Sequence, residues 1–323
     1  MRVVCSLTVA VLLTALAGGC DRRGNGAKGS ASAATSSSTA PVSSDFLLNG
    51  KDPAQALYNA IRILPDARKV ARLLDEHPDW INREISGERP LWLACEARSL
   101  PMVQVIVDHG ADTKFINASH QTVLWPAVNY DDLEIVKYLV AHGADLKALQ
   151  DDSKTLLWAA ETKPMAEFLI AAGVDPKHKD VNGDTALHQA CRHSLLEVVR
   201  LLLDHGLDIE AQGHWGMRPL QSAASTFTGD PKPVVNLLLQ RGANIDSHGY
   251  RGQTALHECA LYNRFEMAEL LLARGAQPDL KDDDGRTPVD TANLAGKSER
   301  VLMINLLIQH GAPGVLIPVE RRR

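Results

Sequence analysis

Three side chains within six positions, His188, Cys191 and His193, are of the types that bind zinc. A finger-like site needs a second ligand pair at a matching distance along the chain. The sequence offers none, so no metal is expected there. Asp282-Asp283-Asp284 has the look of a calcium loop, but such loops end in a bidentate glutamate and no glutamate stands at the required later position. Nucleophile elbows (GxSxG), zinc helices (HExxH) and phosphate loops are missing from the sequence, and its one GxGxxG string, residues 24–29, lies in a Gly/Ser/Ala-rich stretch rather than between a strand and a helix. The expectation is a protein without catalytic residues, metal or cofactor, and so not an enzyme.

The elements that carry these residues explain their spacing. In residues 183–208, GDTALHQACRHSLLEVVRLLLDHGLD, Thr185 stands where a helix N-cap belongs, and Ala186, Leu187, Ala190 and Cys191 share one face of a short helix. A second helical run follows, with Val198, Val199, Leu201, Leu202 and Leu203 apolar, and Gly206 stands where a left-handed C′ residue ends it. Two short helices cannot cover both apolar faces alone, so a neighbour of the same shape is required.

The sequence supplies such neighbours. Helix-ending glycines fall at Gly110, Gly143, Gly173, Gly206, Gly242, Gly275 and Gly311, at intervals of 33, 30, 33, 36, 33 and 36 residues. Upstream of them lie RPLWLA from Arg89, TVLWPA from Thr122, TLLWAA from Thr155, TALHQA from Thr185, RPLQSA from Arg218, TALHEC from Thr254 and TPVDTA from Thr287. With the phrases HGAD, HGLD, RGAN and RGAQ, residues 86–313 resemble the ankyrin-repeat family. The resemblance implies an all-α solenoid of seven stacked helix-turn-helix repeats with projecting β-turn fingers.

Outside the repeats the composition changes. Residues 1–19 have one early positive charge, an apolar run from Val3 to Leu16 and then small residues, as in a secretory leader, with a retained membrane anchor as the alternative. Leu16-Ala17-Gly18-Gly19-Cys20 resembles the lipobox of bacterial lipoproteins, although Ala17 replaces the commoner leucine. That resemblance implies that Cys20 carries lipid, that the protein is exported and faces the periplasm, and, through Asp21, that it is held at the inner membrane. Residues 20–45 are rich in Ser, Ala, Gly and Thr and read as a disordered tether, about 25–30 Å from end to end as a flexible coil. Residues 46–85 read as a divergent N-terminal capping repeat, with helices over Ala54 to Leu64 and Asp66 to Asp75. Residues 314–323 form a tail after a last helix over Ser298 to His310.

Carried over by position, the family's motif makes His188 and His257 ties between one repeat's turn and the next. Trp92, Trp125 and Trp158 take the same position in three consecutive repeats, so a stacked aromatic column is expected there. Cys95, Cys191 and Cys259 occupy small-residue positions of non-adjacent repeats and are expected to be buried and unpaired. The third repeat is three residues short, with Lys163-Pro164 between its helices. The fifth gains three, and Ser225 to Pro233 is expected to protrude.

What is left for function is a surface. The net charge of −5 argues against general attraction to nucleic acid. In the family, fingers and first helices form a concave face that usually binds another protein. By position it includes the tips Phe115, His120, His178, His214, Trp215, His248, Tyr250 and Arg251, and the helix residues Tyr130, Arg192, His193, Leu261 and Tyr262. The expected partner-binding residues are Trp215, Tyr250, Arg251, Arg192, His193, Tyr262, Tyr130 and Phe115, because aromatics and arginine dominate binding hot spots. The five exposed histidines among these would give binding a dependence on pH between 5 and 8. The reading is a monomeric, membrane-tethered interaction scaffold. Its alternatives are an immunity or inhibitor protein that neutralises a toxic enzyme in the periplasm, and an envelope-structural or stress-related accessory protein.

Overall fold

The computed structural model describes residues 54–63, 65–85, 87–226, 229–294 and 300–317. The expected leader, Cys20 and the tether lie outside the described residues. Within them the fold is an all-α solenoid, with isolated β-bridges at Ile85–Glu88 and Ile116–Thr122 and no strands.

The helices come in pairs along the chain. They are α1 (Gln55–Tyr58) with α2 (Ala67–Glu76), α3 (Pro90–Glu96) with α4 (Leu100–Asp108), and α5 (Leu124–Asn129) with α6 (Leu133–Ala141). A 3₁₀ turn, Leu156–Ala159, precedes α7 (Lys163–Ala171). Next come α8 (Ala186–Arg192) with α9 (Leu196–Asp204), α10 (Pro219–Ala224) with α11 (Lys232–Gln240), α12 (Ala255–Leu261) with α13 (Phe265–Ala273), and α14 (Pro288–Leu294) with α15 (Val301–Gln309). From α4 onward, the second helix of each unit ends by the same device. Gly206, at φ 73°, donates to Leu203 O, and Leu207 donates to Leu202 O at 3.2 Å, which satisfies carbonyls that α9 would otherwise leave bare.

Packing follows the apolar pattern. Val198, Val199, Leu201 and Leu202 of α9 are buried, as are Val234, Val235, Leu237 and Leu238 of the adjacent α11. Small residues on the short helices, Ala190, Ala223 and Ala260 among them, let the first helices approach closely. The result is a continuous ribbon of core through successive units.

Several expectations are corrected. The first helix of the N-terminal unit is α only to Tyr58 and then loosens into a π-turn, Asn59–Ile63. Asp66 caps α2 by accepting from the Arg68 and Lys69 N–H groups. Among the described residues no ring pair joins Trp92, Trp125 and Trp158, so there is no aromatic column. The short third unit has a 3₁₀ turn where a helix is expected, and Lys154 and Arg192 take the face of Trp158, their charged groups 5.1 and 5.9 Å from the ring.

The inserted segment of the fifth unit does not stand clear at its described ends. Thr226 is buried and its hydroxyl donates to the Arg192 carbonyl, while Gly229 lies against Ser194. Phe227 and Thr228 lie outside the described residues.

Candidate partner-binding surface

The surface is positioned by a polar tie that recurs along the stack. The Thr185 N–H donates to His188 Nδ1 at 3.1 Å, so that nitrogen is the acceptor and the proton sits on Nε2. Nε2 then reaches the next unit, 3.0 Å from Ala211 O and 3.2 Å from Met217 O. His257 repeats this with Thr254 and Arg286 O. Gln221, which the sequence reading passed over, does the same between them. It accepts from Arg218 N at 2.8 Å and donates to Gln253 O at 2.7 Å. The signal was available, since Gln221 stands at the position of His188 in RPLQSA.

Burial pushes both histidines below their ordinary value of 6.5, with Asp184 opposing the shift at His188. Protonation of Nδ1 would also remove the acceptor of the Thr185 bond. The sign follows: the unfolded chain takes up these protons first, so the stability tied to the neutral rings is whole above about pH 6.5 and declines as pH falls below it. His188→Ala should lower unfolding stability by about 2–3 kcal/mol, measured by urea titration at pH 7.5, and should flatten that decline.

Asp184 is the second missed residue. Nearly inaccessible, it accepts from His214 N at 2.8 Å and from the Arg192 guanidinium. It therefore fixes the next finger from below. A Cβ at Gly213 would lie 1.9 Å from Asp184 Oδ1, and one at Gly249 would lie 2.4 Å from Gln221 Oε1, so glycine is required at both finger bases. Above these bases the tips turn sharply. Trp215 and Arg251 both have left-handed backbone, at φ 54° and 53°. That conformation costs an L-residue roughly 1–2 kcal/mol.

The strained tips hold an aromatic run. His214 lies 4.1 Å from Trp215 between ring centroids, and Trp215 lies 5.2 Å from Tyr250 on the next finger, tilted by 36°. Arg251 stands over the Tyr250 ring at 5.4 Å. Trp215 is 63% exposed and Tyr250 38% exposed. The left-handed turn recurs at the His120 and Asp152 fingers, so the feature of this surface that packing does not explain is the large rings held in water.

The other expected residues divide. Tyr262 is exposed at the end of α12, in the same unit as Tyr250, and His193 is exposed at the end of α8, 2.9 Å from Gln189 Nε2. Arg192 is engaged by Asp184 and Trp158, so its guanidinium is held within the protein. Tyr130 is exposed but belongs to an earlier unit, away from the Trp215–Tyr250 pair along the stack. Phe115 is corrected: it is only 7% exposed, packed with the core and covered by the Arg89 guanidinium 4.1 Å from its ring, so its face is not available to a partner. His120 pairs with Asp151 on the next finger at 2.9 Å, and His178 and His248 bond backbone carbonyls.

Cys95, Cys191 and Cys259 are buried free thiols, and burial raises their pKa far above the ordinary thiol value, so none is a thiolate nucleophile. His188, Cys191 and His193 do not converge: the first is spent on the tie, the second is buried and the third faces water. Asp282 accepts from Asp284 N and Arg286 N, which makes the aspartate run a turn.

A family model described as ankyrin repeats (3 copies) matches residues 56–150 and 156–248, and one described as ankyrin repeats (many copies) matches residues 238–292. The chain belongs to the ankyrin-repeat family. Its ankyrin units are similar to the human ASB11 ankyrin repeat domain, with a TM-score of 0.62 and 22% identity over 71% of this chain and 100% of that one. Human SH3 and multiple ankyrin repeat domains protein 2 is 31% identical over 121 residues, 38% of this chain and 5% of that protein. The mouse B-cell lymphoma 3 protein homolog is 29% identical over 152 residues, 46% of this chain and 33% of that protein. The ankyrin chain thus spans a third or less of the length of these two relatives.

Proposed function

We propose that the protein is a non-catalytic interaction scaffold that binds another protein through the concave face and finger tips of its central repeats. The observation that carries this is the exposed Trp215–Tyr250 pair, held out by left-handed backbone at Trp215 and flanked by Arg251. The left-handed turn itself recurs on other fingers, at His120 and Asp152, so what marks this surface is the pair of large exposed rings placed on it. Aromatic and arginine side chains are also the types that supply most binding energy in protein interfaces. Tyr262 and His193 extend the contact along the first helices, with Arg192 as a positioning residue beneath. The test is Trp215→Gly: loss of the partner with the fold retained supports the reading, and unchanged binding contradicts it.

The same reading places the protein at a bacterial membrane. Cys20 in the Leu16 to Cys20 motif would carry the lipid and hold the protein at the periplasmic side of the inner membrane. Cys20→Ser should move the protein from the membrane pellet to the soluble fraction on centrifugation, without altering partner binding by the released protein. Pelleting unchanged by the substitution would contradict the anchor.

A further inference from the structure

Glu258 is a largely buried acid for which the described residues supply no counterpart. It is 7% exposed, and among the described residues no hydrogen bond or ion pair reaches its carboxylate. Four residues on, one helical turn along the same face of α12, stands Tyr262, 45% exposed. On the finger of the same unit stand Tyr250 and Arg251. Glu258 thus shares one face of α12 with Tyr262, in the repeat whose finger carries Tyr250.

Among the described residues, the elements packed against α12 bring it no partner. α10 brings Ser222 to the corresponding position and α14 brings Thr291, whose hydroxyl donates to Thr287 O. Asp290 is taken by Thr287, Glu266 of α13 by Lys232, and Arg286 by Asp284. Arg300 donates to the Ala260 and Leu261 carbonyls. Burial raises the Glu258 pKa above its ordinary value of 4.5, as expected of a carboxyl that has lost part of its water and gained no cation, while its oxygens are not sealed from the surface. An uncompensated buried carboxylate destabilises the fold at neutral pH.

We propose that Glu258 is the specificity-determining residue of the concave face: it receives a lysine or arginine side chain from a segment of the partner protein that crosses this repeat from Tyr262 to Tyr250. This rests on the binding reading above and adds the chemistry of the partner. Charge complementarity selects the occupant, since the carboxylate lacks only a cation, and the Trp215 and Tyr250 rings present faces to which cations are also drawn.

The experiment selects binders to the full chain, held in detergent, from a phage library of randomised dodecapeptides. Recovered peptides should share one Lys or Arg. Their affinity should fall about tenfold or more for Glu258→Gln, and replacing that Lys or Arg by norleucine should cost little further in the variant. In parallel, Glu258→Gln should melt above wild type at pH 7 and coincide with it at pH 4. A raised folded pKa gives stability that is whole below 4.5 and lost as pH rises through the folded value. No binders, binders without a shared basic residue, affinity indifferent to Glu258→Gln, or a variant that melts below wild type at pH 7 would each overturn the inference. Peptides sensitive to Trp215→Gly but indifferent to Glu258→Gln would overturn it while leaving the finger-tip reading in place. The opposite pattern would overturn the finger-tip reading alone.

Discussion

Leu202→Asp costs the protein about 3–5 kcal/mol of unfolding stability and breaks the cooperative melt of the central units. Leu202 is wholly buried between α9 and its neighbours, with Val199 of α9 and Val235 and Leu238 of α11 equally inaccessible. No cation lies among those side chains, so the new carboxylate would have to stay charged without a partner or take up a proton at neutral pH. Because each unit is held mainly by its two neighbours, the damage falls on the repeats around α9 first. Urea titration followed by circular dichroism should therefore show a lower midpoint and a broadened or split transition. A single transition at the wild-type midpoint would mean that the second helices do not form the core.

Trp215→Gly removes at least about 2 kcal/mol of partner affinity, roughly thirtyfold, while the fold loses nothing. The two effects separate because Trp215 is mostly in water and sits at φ 54°. Glycine accepts that backbone freely, and the strain it relieves offsets the entropy it adds to the unfolded chain. Tyr250→Ala should act in the same direction, less strongly, since its ring is the more covered of the pair. The pair should be non-additive, because the rings lie 5.2 Å apart and support one another. Affinity measured by surface plasmon resonance and melting temperature measured on the same preparations decide the matter together. Equal loss in both would reduce the aromatic run to a packing feature.

The fold was legible in the sequence because its unit is short and repeated. Each helix-ending glycine, each capping threonine and each apolar face recurs, so an error in one repeat is corrected by the next. The site was legible only in part, since it depends on what lies across the gap between units. Trp215, Tyr250 and Tyr262 were found because the finger tip and the end of the first helix are exposed by construction. Phe115 was misplaced because Arg89, 26 positions earlier, covers it, and position along the finger does not reveal that cover. Glu258 and Asp184 look alike in sequence, an acid beside a motif residue. Only packing shows that Asp184 holds Arg192 and the next finger while Glu258 holds no partner among the described residues. Trp158 misled for a related reason, since Leu156–Ala159 is a 3₁₀ turn, whereas Trp92 and Trp125 both lie on α-helices and still form no ring pair, so equal spacing alone did not fix ring contact.

The most direct measurement places a photo-crosslinking amino acid at Gln212, exposed at the base of the Trp215 finger, or at Gln240, exposed at the end of α11, and irradiates native membranes. The expected result is one discrete protein adduct from position 212 that disappears in the Trp215→Gly background, with none from position 240. Adducts from position 240 alone, or an adduct at 212 that survives Trp215→Gly, would contradict the claim that the finger tips of the central repeats bind the partner.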